Sequence, residues 1–227
     1  MSLSPNFGRR RNGLRPELVV LHYTAMESCA AAERALCDPA REVSAHYLIS
    51  EAGEVRALVD EKMRAWHAGA GTWGGAGDVN SRSIGIELSN TGFAPFAARQ
   101  IDALEALLPG ILGRWSIPPE GVIAHSDMAP GRKSDPGPRF DWLRLARRGL
   151  SVWPDASGAE GAPAPEKQRF RDAALRFGYP DVADDLLLKT MRLRFRPGAD
   201  GPLDVTDMAI IGDLAARFGV DRGAGSP

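Results

Sequence analysis

One stretch in the middle of the chain combines side chains that bind metal ions with residues that form turns. His125 offers an imidazole nitrogen and Asp135 a carboxylate, and Lys133 places a positive charge between them in sequence. Two Pro-Gly pairs in the same stretch are turn signals, so we predict a loop rather than a helix. The proline after Asp135 restricts the backbone of that residue, which would hold its carboxylate in one orientation. This stretch could therefore supply two metal ligands.

A third ligand must come from elsewhere, and His22 is the best candidate. It ends the apolar run Val19-Val20-Leu21-His22, which is typical of a buried strand. Catalytic zinc sites use three protein ligands and keep one position open, and two histidines with one carboxylate are an established set. No short spacing such as HExxH or CxxC is present. Spacing alone therefore also allows ordinary histidines at 22 and 125 and a purely turn-forming Asp135.

Composition argues against several other functions. The 227 residues could form one domain or two and can bury a full core. The net charge of -1 argues against nucleic acid as the main partner, and no run approaches the roughly 18 apolar residues of a membrane span. Cys29 and Cys37 lie roughly 12 Å apart on a predicted helix, too far for a disulfide. Three arginines at 9–11 are not followed by the apolar segment of an export signal, so we expect a cytoplasmic location, with the periplasm as the alternative if export uses another route.

The spacing of apolar residues predicts an α/β fold in which helices flank a mixed central sheet. Two strand patterns around Glu51-Ala52-Gly53 predict a β-hairpin. Residues 83–90 predict a central strand, and Gly85 within it indicates that another backbone packs closely. Residues 96–115 predict an amphipathic helix that covers the sheet and that Pro109 should kink.

Composition also divides the chain into three parts. Residues 1–150 contain the predicted sheet and all the candidate ligands. Residues 151–165 are rich in Ala, Gly, Pro and Ser, so we predict a linker. Residues 166–227 contain three helical patterns, which predict a small all-α bundle that docks on the first domain because it is too small to be stable alone. The three patterns cover 166–177, 182–195 and 204–218.

Several sequence motifs occur together in the first part of the chain. In order they are His22-Tyr23-Thr24, residues 44–49, Ala65-Trp66-His67-Ala68-Gly69, residues 80–87, and His125-Ser126-Asp127 with residues 133–137. From about residue 17 to 145 the chain thereby resembles the zinc-dependent N-acetylmuramoyl-L-alanine amidases of the AmpD type. The C-terminal part, with Phe177-Gly178-Tyr179-Pro180, is similar to the three-helix peptidoglycan-binding module attached to some of these amidases. Lys189-Thr190-Met191 departs from the usual aromatic and glutamine residues of that module.

The resemblance implies a reaction and a role for each chemically active residue. It implies one Zn²⁺ per chain, bound by His22, His125 and Asp135. The zinc would assist hydrolysis of the amide between N-acetylmuramic acid, or its 1,6-anhydro form, and L-alanine of the peptide stem, in cell-wall turnover or recycling. Glu87 would act as general base and Lys133 would help to stabilise the oxyanion. Without the resemblance, Glu87 fits a surface strand residue and Lys133 a solvated loop charge.

Five further residues are predicted to line the substrate groove. They are Trp66, His67, Asn80, Arg82 and Asn90. Trp66 would stack on a sugar ring and His67 would bond the peptide or assist the reaction, while the other three would hold the peptide stem. Simple packing, loop capping and solvent exposure are the alternatives. His46 is expected to pack or to support a ligand rather than to bind the metal.

Other functions remain open on sequence alone. A related non-catalytic peptidoglycan-binding protein could keep the fold, although all three ligands are present here. A thiol hydrolase could use Cys29 or Cys37 with a histidine, and a structural protein could bind the wall through its C-terminal helices. We expect a peptidoglycan or muropeptide partner and a monomer. Intact peptidoglycan and released anhydro-muropeptide are both compatible with the sequence.

Overall fold

The computed structural model describes residues 3–155 and 164–220. The strands are β1 (Phe7–Arg9), β2 (Leu18–Tyr23), β3 (Tyr47–Ile49), β4 (Val55–Ala57), β5 (Met63–Ala65), β6 (Ser83–Leu88) and β7 (Val122–Ala124). The helices are α1 (Cys29–Cys37), α2 (Val79–Arg82), α3 (Ala98–Trp115), α4 (His125–Met128), α5 (Trp142–Arg147), α6 (Lys167–Phe177), α7 (Asp184–Phe195) and α8 (Val205–Phe218). None of the helices in these two ranges is long and apolar enough to cross a membrane.

The central sheet has the strand order β4-β3-β6-β2-β7. β6 is parallel to both β3 and β2, β2 is parallel to β7, and β4 is antiparallel to β3. The predicted mixed α/β sheet is therefore confirmed, with the expected hairpin formed by β3 and β4 and with β6 in the middle. β1 and β5 form a separate antiparallel pair.

Both faces of the sheet are buried. Alternate residues of a strand point to opposite faces. On one face, Val19 and Leu21 pack in a core with Leu104 of α3. On the other face, Val20 packs in a core that includes Phe177 of α6. A strand buried on both sides has a continuous apolar sequence, which explains the run that ends at His22.

The C-terminal helices share their core with the sheet. The Trp73 ring lies 5.5 Å, centroid to centroid, from the rings of both Phe177 and Tyr179. Ser151 and Val152, at the start of the predicted linker, are buried. Residues 156–163 of that segment lie outside the described residues, as do the last seven residues of the predicted bundle. The helices α6, α7 and α8 thus pack directly on the part of the chain that carries the candidate ligands.

The loop predicted after β7 is in part a helix. His125–Met128 form one helical turn, α4, before the turns begin. The side chain of Asp127 accepts a hydrogen bond from the backbone N–H of Ala124 at 2.8 Å, which satisfies a donor at the start of this turn. The Pro-Gly signals indicated the turns that follow, and this capping contact explains the helical turn before them.

Candidate metal centre

The parallel strands bring the candidate ligands to one edge of the sheet. His22 of β2 and Glu87 of β6 occupy paired positions near the ends of neighbouring strands. His125 follows β7, the other neighbour of β2. Because the carboxyl ends of parallel strands meet at one edge, these side chains converge there. The backbone carbonyl of Asp135 accepts a hydrogen bond from Ser126 at 3.0 Å, which holds the third ligand against α4.

Three atoms from these residues form a compact triangle. Nδ1 of His22 lies 2.8 Å from Nδ1 of His125, and each nitrogen lies 2.9 Å from Oδ2 of Asp135. All three residues are buried. Among the described residues, this is a group whose ligand atoms lie close enough to bind one metal ion. The structure therefore brings together the three ligands proposed from the sequence.

The outer hydrogen bond of His125 shows which of its ring nitrogens carries the proton. Nε2 of His125 lies 2.9 Å from the backbone carbonyl of Ala68, which can only accept a hydrogen bond. Nε2 must therefore carry the proton. In the neutral ring, Nδ1 then directs a lone pair into the triangle.

A relay of hydrogen bonds from Ser83 through His67 shows that the proton of His22 is on Nε2. The hydroxyl of Ser83 donates to the carbonyl of Val79 at 2.5 Å, so its oxygen accepts from Nε2 of His67 at 3.1 Å. Nδ1 of His67 is then free to accept from Nε2 of His22 at 3.0 Å. Burial lowers the pKa of His67 well below its usual value, in agreement with a neutral ring. Nδ1 of His22 is thereby left without a proton.

Two imidazole lone pairs and a carboxylate thus converge without a proton between them. Burial lowers the pKa of His22 to about 4, so protonation of this ring does not relieve the repulsion near neutral pH. A cation bonded to all three atoms does relieve it. Two histidines and one carboxylate are a donor set used by catalytic zinc sites, and each histidine has the outer hydrogen bond that such ligands usually make. The residues fit a zinc ion.

Glu87 lies beside this triangle with one oxygen unused. Its Oε2 is buried, and no residue in the described ranges hydrogen-bonds to it. Burial raises the pKa of Glu87 well above its usual value, the charge of Asp135 raises it further, and Lys133 lowers it. A carboxylate with these properties is suited to accept a proton near neutral pH.

A cavity of about 360 Å³ opens onto the triangle. Its wall includes Glu87, Lys133, Trp66 and His67, four of the residues predicted to act on the substrate. The cavity also has lining residues to which no role was assigned from the sequence. They are Tyr23, Thr24, Ala25, Met26, Ala32, Ala35, Leu36, Arg41, Val43, Ser44, Arg132 and Ser134.

Arg132 is the most distinctive of the cavity residues that the sequence did not indicate. Its guanidinium donates to the backbone carbonyls of Ala68 and Ala70, with 2.6 Å to the oxygen of Ala68. The same Ala68 oxygen accepts the hydrogen bond of His125. The only sequence signal for Arg132 was its position beside Lys133, because the carbonyls that bind it come from a distant segment.

The side chains of three predicted substrate-binding residues form hydrogen bonds to the backbone. Asn80 accepts hydrogen bonds from the N–H groups of His67 and Ala68 at 3.0 and 2.8 Å. Arg82 donates to the carbonyl of Ala76 at 2.6 Å and forms an ion pair with Glu17. The side chain of Asn90 bonds the backbone at 92, 94 and 95. All three are buried and do not line the cavity, so their contacts match loop capping, the alternative that the sequence left open.

Gly85 and His46 support the same relay. A Cβ atom at Gly85 would lie 2.4 Å from Cγ of His67, so the glycine leaves room for the imidazole ring. The sequence predicted that another backbone segment would pack there, and the structure shows a side chain. His46 is buried, its Nδ1 accepts from the N–H of Gly85 at 2.9 Å, and its Nε2 lies 3.1 Å from the carbonyl of Met63. His46 therefore packs behind His67 and is not part of the triangle.

The cysteines do not fit the thiol hydrolase alternative. Both are free. Burial raises the pKa of both the Cys29 and the Cys37 thiol, whereas a nucleophilic cysteine needs a lowered pKa. Neither residue lines the cavity beside the triangle.

The site combines a buried ligand set for one metal ion with an open cavity and with Glu87, whose Oε2 has no hydrogen-bond partner among the described residues. This combination suits a metal-dependent hydrolase. Residues 12–138 match the family described as N-acetylmuramoyl-L-alanine amidase. The match spans more than half of the chain, and the chain belongs to this family.

Known relatives extend the similarity over almost the whole chain. N-acetylmuramoyl-L-alanine amidase AmiD of Escherichia coli (strain K12) is 37% identical over 238 aligned positions, which cover 91% of this chain and 85% of that protein. Its structure in complex with the substrate anhydro-N-acetylmuramic acid-L-Ala-D-γ-Glu-L-Lys matches at 35% identity with a TM-score of 0.82, covering 94% of each chain. The structure of AmpDh3 from Pseudomonas aeruginosa in complex with anhydromuramic pentapeptide also has a TM-score of 0.82, at 36% identity, and covers 92% of this chain and 94% of that one.

A third relative is similar over a shorter segment. The 1,6-anhydro-N-acetylmuramyl-L-alanine amidase AmpD of Enterobacter cloacae is 43% identical over 103 residues. These residues are 45% of this chain and 55% of that protein.

Proposed function

We propose that this amidase binds one Zn²⁺ through His22, His125 and Asp135 and cleaves the amide between N-acetylmuramic acid, or its 1,6-anhydro form, and L-alanine of the peptide stem. The convergence of three proton-free ligand atoms within 2.9 Å is the main observation in support. The names of the AmiD and AmpDh3 structures, which describe bound anhydromuramic peptides, support the substrate class.

The residues around the triangle have separate tasks in this reaction. When bound, zinc supplies Lewis acidity to the amide carbonyl and to a water molecule. Glu87 accepts a proton from the attacking water and returns it to the leaving L-alanine nitrogen, a role typically worth about 10² to 10⁴ in rate. Lys133, on the cavity wall, adds a positive charge for the developing oxyanion. Trp66 offers an apolar ring to the sugar in the same cavity.

Two substitutions separate metal binding from proton transfer. We expect Glu87→Gln to keep the zinc content of the wild-type protein and to lose about 10² to 10⁴ in kcat. We expect His22→Ala to lose both, because it removes a ligand. Zinc is measured by elemental analysis of dialysed protein, and turnover by chromatography of the L-alanyl peptide released from a purified anhydro-muropeptide.

The same assay tests the non-catalytic alternative. Full turnover in Glu87→Gln would remove the general-base role. A wild-type protein that binds muropeptide without cleaving it would favour a binding protein. Parallel digestion of intact sacculi and of the soluble anhydro-muropeptide distinguishes the two substrate classes.

We further propose that three segments of the chain have different roles. Residues 1–150 hold the catalytic centre, 151–165 connect it to the rest, and 166–227 form a part that resembles a peptidoglycan-binding module. Free Cys29 and Cys37 support a reducing, cytoplasmic location. Cell fractionation tests the location. Light scattering of the purified protein tests the proposed monomer, and pull-down of the full-length protein on sacculi tests wall binding.

A further inference from the structure

A buried carboxylate lies two residues after the ligand His125. Asp127 is fully buried in α4, which begins at His125. Its Oδ2 accepts the backbone N–H of Ala124, the last residue of β7, at 2.8 Å. This bond fixes the turn from strand to helix, and with it the direction in which the imidazole of His125 leaves the backbone.

The counter-charge for Asp127 comes from a C-terminal helix. Nη1 of Arg194 in α7 donates to Oδ2 of Asp127 at 2.5 Å. Nη2 donates to the carbonyl of Val122 and to the hydroxyl of Ser151, both at 3.1 Å. Arg194 and Asp127 are 2% and 0% exposed, respectively. One guanidinium thus holds β7 at its first residue and α4 at its capping carboxylate.

Aromatic rings shield this ion pair from water. Cζ of Arg194 lies 4.0 Å from the centre of the Trp142 ring and 4.7 Å from that of Phe195. The hydroxyl of Tyr179, also from the C-terminal part, lies 3.4 Å from the second oxygen of Asp127. Desolvation of two buried charges often cancels their attraction, so a buried pair of this kind is weak evidence of a gain in stability. Its geometry points instead to a role in holding the turn before His125.

We propose that Arg194 is a positioning residue of the metal centre, which acts through Asp127 on the turn that presents His125. The inference depends on the zinc site of the proposed function. It gives the C-terminal helices a task that does not require contact with the cell wall. Loss of Arg194 should weaken zinc binding even though no atom of this residue touches the ligand triangle.

The same helix offers a matched control. Arg192 is 5% exposed and forms a buried ion pair with Asp207, which is 0% exposed. Its other bonds go to the carbonyls of Gly201 and Pro202. Arg192→Met therefore removes an equally buried charge from α7 and leaves the contacts of Asp127 in place.

The experiment compares full-length wild type, Arg194→Met and Arg192→Met. Zinc Kd is measured by competition with a chromophoric chelator at a temperature where all three proteins are folded. We expect Arg194→Met to raise the Kd about 10- to 100-fold, the usual range for loss of a group that orients a ligand. Arg192→Met should stay within about threefold of wild type. Arg194→Lys keeps the charge opposite Asp127 and should recover most of the affinity.

Kinetics give a second readout on a soluble anhydro-muropeptide with saturating zinc. Arg194→Met should lower kcat and leave KM within about twofold, because the substrate cavity is unchanged. Should Arg194→Met fail to fold, Arg194→Gln keeps a donor for the Val122 carbonyl and removes the charge, and the same comparison applies.

Two results would overturn the inference: a wild-type Kd in Arg194→Met, or equal weakening in the Arg194 and Arg192 variants. Absence of zinc binding in the wild-type protein would instead refute the proposed function, and the inference with it.

Discussion

Replacement of Gly85 by alanine would place a methyl carbon where the ring of His67 lies. The new Cβ would be 2.4, 2.5 and 2.6 Å from three atoms of that ring. Optimal contact between carbon atoms is about 3.5 to 4.0 Å, so either the ring or β6 must move by about 1 Å or more. Nδ1 of His67 accepts a hydrogen bond from Nε2 of His22 at 3.0 Å, and a shift of this size breaks that hydrogen bond.

Two quantities should therefore change in Gly85→Ala. Overpacking in a filled core typically lowers the free energy of unfolding by about 1 to 3 kcal/mol, which urea unfolding measures. Loss of the hydrogen bond that orients His22 should raise the zinc Kd about 10- to 100-fold, measured by chelator competition.

Gly113→Ala is the control for this substitution. Gly113 is exposed in α3, and a Cβ there meets no atom within 4 Å. Alanine should stabilise this helix by up to about 1 kcal/mol and leave the zinc Kd unchanged. A Gly85→Ala protein with wild-type stability and wild-type zinc affinity would refute the relay from Ser83 through His67 to His22.

Two further predictions concern the metal and the buried histidines. A chelator should abolish turnover and added zinc restore it, whereas a thiol-alkylating agent should leave turnover intact; the opposite pattern would favour Cys29 or Cys37. Burial lowers the pKa of His46 to about 4, below the unfolded value of about 6.5. The unfolded state therefore binds more protons below pH 6.5, and His46 alone should reduce the unfolding free energy of the metal-free protein by about 2 kcal/mol between pH 7 and pH 5. Urea unfolding of wild type and His46→Gln checks this, and equal pH slopes in both would contradict it.

The sequence predicted the parts of the centre that depend on strand pattern. His22 was identified because it ends a continuous apolar run. Glu87 was identified only through the resemblance to the amidases, since its pattern alone fits a surface strand residue. Asp135 was singled out because proline fixes the residue before it. These signals are local, so they can be recognised without knowledge of the tertiary structure.

Contacts between distant segments were not predictable in the same way. Gly85 indicated a close approach, but a missing Cβ does not reveal that an imidazole from residue 67 fills the space. Asn80 and Arg82 were polar residues near a glycine-rich loop, and only the folded chain shows that their side chains bind its backbone. Polar residues of this kind have the same sequence signature whether they bind substrate or cap a loop.

The packing partners of the C-terminal helices could not be predicted from the sequence either. Their amphipathic pattern shows that each has one apolar face, but not whether that face covers a neighbouring helix or the sheet. Phe177 packs in one core with Val20 of β2, and Arg194 reaches Asp127 across 67 positions of the chain. Neither contact leaves a signal in the spacing of residues within α6 or α7.

We expect one zinc ion to bind to three particular atoms of this chain. Anomalous diffraction at the zinc edge, on crystals of the zinc-loaded protein, tests it most directly. We expect one peak per chain, about 2.0 to 2.2 Å from Nδ1 of His22, Nδ1 of His125 and an oxygen of Asp135. A peak at other residues, or none at this triangle in protein that turns over substrate, would contradict it.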